Sequence, residues 1–135
     1  MKFVEMRVAD LVAGKAKWNP RRISAPEADA LKVSIERFGL VDPIVWNART
    51  RTVVGGHMRL DAARELGHKT AVVSVVDLAP AEEKALAHAL NKIHGEWDWQ
   101  KLAPLLEELA AANRDLPAIA GFTDEEIKRI EADGN

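Results

Sequence analysis

The 135-residue chain contains no cysteine and no tyrosine. The missing cysteine excludes a disulfide scaffold, a thiol nucleophile and any cysteine-ligated zinc or iron–sulfur centre. No apolar run approaches the ~18 residues that a helix needs to cross a bilayer. The opening Met1-Lys2-Phe3-Val4-Glu5 has no apolar core of a secretion signal. A cytoplasmic protein without a membrane partner is therefore the expectation. A large charge excess is also missing: 19 Lys and Arg face 21 Asp and Glu, a net charge of −2. What remains is ordinary for a soluble globular protein, with 47% apolar and 30% charged residues. The length predicts one domain. Such a domain buries roughly two-thirds of its unfolded surface and folds without a metal.

The near-neutral total hides an asymmetry. Residues 1–76 carry 13 basic and 8 acidic side chains, whereas residues 77–135 carry 6 basic and 13 acidic ones. Two windows of the basic half hold no acid. Leu11 to Pro26 contains Lys15, Lys17, Arg21 and Arg22, and Pro43 to Leu60 contains Arg49, Arg51 and Arg59. Brought together, they form a local anion site; left apart, they are solvated loops.

Phe3 to Val8 alternates as a strand does. Asn19-Pro20 signals a turn. Ser24 with Glu27 makes a capping box for a helix that presents Leu31, Ile35 and Phe38 and stops at Gly39. Ile44-Val45-Trp46 and Thr52-Val53-Val54, parted by a polar turn, predict a hairpin. A helix follows from about Met58, with Leu60, Ala63 and Leu66 buried and Gly67 as its stop. Ala71 to Val76 reads as a buried strand. Pro80 starts a helix with Ala85, Leu86, Ala89, Leu90 and Ile93 as its apolar face, ended by Gly95. Asp98 caps a further helix through Leu102, Leu105, Leu106 and Leu109. Thr123 with Glu126 makes a second capping box before a short last helix. Strands mixed with helices first and helices last predict a small α+β domain with a helical C-terminal part.

The segment richest in chemistry is Val53-Val54-Gly55-Gly56-His57-Met58-Arg59-Leu60-Asp61-Ala62-Ala63. A strand runs into two glycines and directly into a helix. Glycines let a ligand approach the backbone, and a helix start offers unpaired N–H groups at the positive end of its dipole. Together they suit a phosphate, and Arg59 can add a bidentate contact. The same dipeptide also serves as a tight turn.

Several segments fall in a familiar order: Asn19-Pro20-Arg21, Phe38-Gly39-Leu40, Asp42-Pro43-Ile44-Val45, Val54-Gly55-Gly56-His57-Met58-Arg59 with Ala62-Ala63, and Val72 to Leu78. They are followed by Ala89-Leu90-Asn91-Lys92 and Gly95-Glu96-Trp97-Asp98. In this order they resemble the ParB N-terminal domain family, which shares its fold with sulfiredoxin. The resemblance covers about residues 3–100, and Phe122 to Glu126 resembles a tail of stand-alone members. It implies a small mixed sheet packed with helices over residues 1–100 and a helical extension of the same domain over 101–135. It also implies a site for a nucleoside triphosphate, CTP or ATP, with Mg²⁺. The residues that correspond are Arg21, Gly55, Gly56, His57, Met58, Arg59, Asn91 and Lys92. Backbone N–H groups at Gly56 to Met58 would hold phosphate. Arg21, Arg59 and Lys92 would neutralise it, and Asn91 would offer an oxygen to Mg²⁺.

The departures are specific. His57 and Met58 stand where the family carries Glu and Arg, which removes one phosphate-directed cation. Leu90 stands where the family carries a Glu that helps bind Mg²⁺. Sulfiredoxin chemistry is excluded because its reactive cysteine falls at His57. The chain is expected to lack the helix-turn-helix and dimer regions of chromosome-segregation ParB proteins, since Pro104 to Glu126 shows no basic recognition helix.

Other constellations are weaker. His88 and His94 fall on different faces of one helix, and no His-Glu-x-x-His spacing occurs. His57 is open to three readings: a base, a phosphate donor or a polar residue at a helix start. Asp61 and Glu65 could pair on a metal for hydrolysis, but a solvated helix face suits them better, with Asp61 compensating Arg64 or helping the first turn. Trp18 stands beside Asn19-Pro20-Arg21 and suits either packing or stacking on a base. Trp97 and Trp99 are expected to pin the last helices to the core.

Three functions compete on this evidence. The first is a nucleotide-binding accessory or regulatory protein of a phage, plasmid or mobile element, with slow triphosphate hydrolysis or phosphotransfer compatible with it. The second is a DNA-associated protein that grips backbone phosphates, beside a DNA-modifying protein such as a methyltransferase. The third is a protein-contact module, dimeric through its acidic tail.

Overall fold

The computed structural model describes residues 1–18, 23–93 and 95–133. Strand β1 (Lys2–Arg7) turns directly into the short helix α1 (Val8–Ala13), and α2 (Ala25–Phe38) follows. The hairpin of β2 (Ile44–Asn47) and β3 (Thr52–Gly55) leads into α3 (His57–Glu65). Then come β4 (Thr70–Val76), α4 (Pro80–Lys92), α5 (Trp99–Ala112), α6 (Leu116–Ile119) and α7 (Asp124–Asp133). The four strands form one mixed sheet in the order β1-β4-β2-β3. β4 pairs antiparallel with β1, placing Phe3 opposite Ser74, and parallel with β2, placing Ile44 opposite Val73. The α+β class expected from the sequence is the one observed.

One face of the sheet carries the main core. Leu11, Ile44, Val53, Leu60 and Val73 are wholly buried there, with Trp46 and Ala71. Burying each large aliphatic side chain contributes about 2 kcal/mol. Leu11 belongs to α1, a helix that the sequence reading passed over because six residues show no helical period. Gly14 ends α1 against the Trp46 ring, so closely that a Cβ there would lie 2.6 Å from it. Beyond Gly14 the chain joins the edge of the hairpin: the Val53 N–H donates to the Gly14 carbonyl at 2.8 Å. The two acid-free windows therefore do meet.

The other sheet face is covered mainly where α4 lies on β3. This corrects the reading of Ala71 to Val76 as an evenly buried strand. Val72, on the open face, is 45% exposed, and β4 alternates through its first half. The face of α4 is corrected as well. Its buried residues are Glu83 and Ala87, whereas Leu90 is half-exposed and Ile93 is exposed. The helix is turned by the Glu83 carboxylate, which accepts from Asn47 Nδ2 at 2.8 Å and from the Thr50 hydroxyl. It ends at Lys92, before Gly95. Helix α2 starts on the expected capping box. It packs chiefly on α3 and α6 rather than on the sheet, so Ile35 is buried and Phe38 is exposed.

Helices α5 and α7 hold a second, separate apolar cluster of Leu102, Leu106 and Ile130, with Trp99, Phe122 and Ile127 against it. Asp98 caps α5 by accepting from the Gln100 N–H. Thr123 and Glu126 form the expected reciprocal cap of α7. Trp99 packs as expected, under the Arg129 guanidinium at 3.9 Å from its ring centre. Trp97 does not, being 66% exposed.

Candidate functional site

Gly56 caps α3 in the left-handed region, at φ 85° and ψ 23°. A side chain there would be strained, and its Cβ would stand 3.0 Å from Arg59 Nη2 and 3.2 Å from the Ile44 Cα. The Leu60 N–H reaches back to the Gly56 carbonyl at 2.8 Å. The N–H groups of His57, Met58 and Arg59 thus begin the helix without intrahelical acceptors. A cavity of about 190 Å³ opens at this helix start. Gly56, His57, Met58 and Arg59 form one wall, Ile23, Glu27 and Leu31 a second, and Asn91 of α4 closes it. A second cavity, of about 370 Å³, lies on the open face of the sheet and shares Gly56, Arg59 and Asn91 with the first. Gly55, Val45 and Leu90 line it too.

The fold thus gathers Gly55, Gly56, His57, Met58, Arg59 and Asn91 from two distant segments. Lys92 is exposed at the end of α4 and lines neither cavity. Trp18 also lines neither; the Lys84 ammonium stands 5.8 Å from its ring centre. Arg21, with Asn19, Pro20 and Arg22, lies outside the described residues, as does His94.

Arg59 is held at the mouth between the cavities. Its Nη2 donates to the Pro43 carbonyl at 3.0 Å, and its Nη1 lies 3.3 Å from Asp42. Its Nε is buried with no hydrogen-bond partner among the described residues. Two other cations of these windows are paired as well. Lys15 Nζ stands 2.7 Å from Asp61 and Arg49 Nε 2.9 Å from Asp77. Asp61 therefore answers Lys15, from a distant loop, and not its helix neighbour Arg64. The Arg49 guanidinium holds the Asp77 carboxyl below its usual range.

His57 is buried at the helix start. Its Nε2 accepts from the Ala16 N–H at 3.4 Å. Burial, and then the nearby Lys15 charge, lower its pKa; Asp61 and a hydrogen bond with the Val53 backbone partly oppose this. The ring is therefore neutral near pH 7, so what this residue could present to an anion is its backbone N–H rather than an imidazolium. Its side chain ties the loop after α1 to the cradle.

Two features escaped sequence reasoning. Glu27 sets a carboxylate in the cavity wall while accepting from the Ser24 N–H and hydroxyl, at 3.2 and 2.9 Å. Only its capping role had a sequence signal. Asn47 is wholly buried. Its Nδ2 donates to the Leu78 carbonyl and to Glu83, and its Oδ1 accepts from the Leu78 and Arg49 N–H groups. This node fixes α4, and with it Asn91, against the hairpin.

For a divalent cation the donors are few. Among the described residues no group of three His, Cys, Asp or Glu could hold a metal. Leu90, where a carboxylate would help most, packs against Gly55. The described side chains do not fit a metal site built by the protein alone.

Comparison with known proteins decides the family. The profile of the ParB N-terminal domain matches residues 2–92. This chain belongs to the ParB N-terminal domain family. A curated relative, the transcriptional regulator NovG of Streptomyces niveus, is 39% identical over 72 residues. That match covers 53% of this chain and 23% of NovG, so the chain spans under a quarter of that relative's length. Among solved structures, the truncated chromosome-partitioning protein ParB of Caulobacter crescentus complexed with CTP-gamma-S superposes with a TM-score of 0.79 at 18% identity. That match covers 96% of this chain and 77% of that one. The same protein on its centromeric parS site gives 0.53 at 19% identity, covering 95% and 70%. A pNOB8-like ParB N-domain gives 0.56 at 18%, covering 96% and 56%. The ParB fold is shared by all three. Among the described residues of this ParB domain, no helix is long and apolar enough to cross a membrane.

Proposed function

We propose that this ParB domain binds a nucleoside triphosphate, CTP or ATP, with its phosphates at the start of α3. The reading rests on one observation. A left-handed glycine starts α3 at a cavity lined by Gly56, His57, Met58, Arg59 and Asn91, where the first N–H groups of the helix have no intrahelical acceptors. The CTP-gamma-S held by the Caulobacter ParB that shares the fold supports it. In this reading Arg59 exchanges Asp42 for a phosphate oxygen, Lys92 adds charge from outside the cavity, and Arg21 supplies a further cation. Any Mg²⁺ would come with the triphosphate, and Asn91 would be the side chain to offer it a protein oxygen. Residues 1–100 form the binding domain, and 101–135 extend it.

The protein then serves as an accessory or regulatory factor, as the relation to a transcriptional regulator suggests. An origin in a phage, plasmid or mobile element belongs to the same proposal, and the neighbouring genes test it. Calorimetric titration with CTP, ATP and GTP, with and without Mg²⁺, tests the binding. One nucleotide is expected to bind with about micromolar affinity and about tenfold less tightly in Arg59→Ala. The absence of saturable heat with every nucleotide refutes the reading.

A second reading has the cradle grip DNA-backbone phosphates, alone or beside a DNA methyltransferase. The match to ParB solved on parS favours it. It predicts sequence-tolerant binding that falls steeply with salt.

A further inference from the structure

The helical unit leaves an apolar cleft open to solvent. Leu102 and Leu106 of α5 are buried against Ile130 of α7. One step around α5, Leu105 and Leu109 turn outward and face Phe122 across a cleft of about 160 Å³. Trp97 forms its outer wall at 66% exposure, and Leu105 is 43% exposed. A clustered Trp, Phe and Leu surface of this kind marks a binding face, because such side chains gain most from leaving water.

The surroundings are acidic. Residues 95–133 carry ten acidic and four basic side chains. Glu96 and Asp98 flank Trp97 in sequence, Glu107 and Glu108 lie on α5, and Asp124 and Glu125 open α7; all six are exposed. Such a surface repels duplex DNA, an anionic bilayer and an acidic protein. It attracts a cationic partner whose apolar side chains lie along one stripe. A second copy of this chain meets the charge requirement only in part. Of the thirteen Lys and Arg of its residues 1–76, Arg7, Lys15, Lys32, Arg49 and Arg59 are already held in ion pairs within the chain.

We propose that this cleft is a docking groove for a basic amphipathic helix of a partner protein. The helix lays its apolar stripe against Trp97, Leu105 and Phe122 and turns its Lys and Arg side chains toward the acidic flanks. The groove works whether or not the cradle holds a nucleotide.

The test uses the full chain and a synthetic helical peptide with leucine at i, i+3, i+4 and i+7 and lysine elsewhere. A scrambled peptide of equal charge is the control. Backbone amide shifts and Trp fluorescence report binding. Saturable binding is expected, with shifts confined to residues 95–133. Affinity is expected to fall about tenfold in Trp97→Ala and in Leu105→Ala. Trp97 is largely and Leu105 partly exposed, so the variants are expected to keep their fold, and thermal unfolding checks that. Several results overturn the proposal: equal binding of the scrambled peptide, no saturation, or shifts centred on residues 1–93. So do self-association that Trp97→Ala abolishes, which assigns the groove to a second copy, and the same shifts produced by duplex DNA.

Discussion

The sheet region and the helical region solve the same problem differently. The sheet region buries Leu11, Ile44, Val53, Val54, Leu60 and Val73 completely and locks its loops with polar contacts: Asn47 to Glu83, His57 to Ala16 and Lys15 to Asp61. The helical region relies on local caps and a smaller cluster, in which Leu102, Leu106 and Ile130 keep 7%, 8% and 3% exposure. The first region is built to hold a backbone shape, a left-handed glycine before a helix. The second is built to hold a helix face in place and leaves apolar surface uncovered. Where a site depends on backbone geometry, the chain spends buried polar groups to fix it; where it depends on an exposed face, caps suffice.

The sharpest way to break this contrast is to weaken each region alone. Ile130→Ala is expected to cost about 3 kcal/mol, because Ile130 is the best buried member of a small cluster. Hydrogen exchange checks where the loss falls: the amides of α5 and α7 should lose protection while those of β2 and β4 keep it. Equal loss in both regions would mean a single cooperative core. Asn47→Ala is expected to cost about 2 kcal/mol, since it leaves the Glu83 carboxylate only the Thr50 hydroxyl and strands the Leu78 backbone. A lowered denaturation midpoint, with weaker nucleotide binding, would show the node supporting the cradle through α4.

A subtler cut goes through the cradle itself. Gly56→Ala is expected to cost about 1 kcal/mol for a left-handed alanine and to abolish nucleotide binding, because its Cβ crowds Arg59 and Ile44. Unchanged affinity would place the phosphates elsewhere.

The smallest effect is on pH. The folded state holds the His57 pKa below its ordinary 6.5, chiefly by burial. The unfolded chain then binds the proton first as pH falls, so the stabilisation is full above about 6.5 and declines below it. His57→Gln should flatten this part of the urea stability profile. A slope unchanged by the substitution would assign the dependence to another group.

Much of this was legible in the residues. Ser24 with Glu27, and Thr123 with Glu126, announced two helix starts, because a capping box needs only four consecutive residues. The hairpin and the Gly55-Gly56 break followed from alternation and turn chemistry for the same reason. The misreadings share a cause. Apolar patterning alone put Leu90 and Ile93 inward on α4, but a carboxylate, Glu83, sets that face once Asn47 and Thr50 reach it. Trp97 was expected inward on size alone, yet no element covers it. Asp61 was read against its helix neighbour, whereas its partner Lys15 lies 46 residues away in the chain.

By itself, then, the sequence determined the α+β class, the family and the glycine-led motif. These depend on local propensity and on the order of residues along the chain. Only the tertiary structure decided that Arg59 is tethered to Asp42 and Pro43, that His57 is a buried neutral clamp, and that Asn91 shares a cavity with Gly56 while Lys92 does not. Each of those facts depends on which distant atoms desolvate or pair with a group, and separation along the chain carries no record of that.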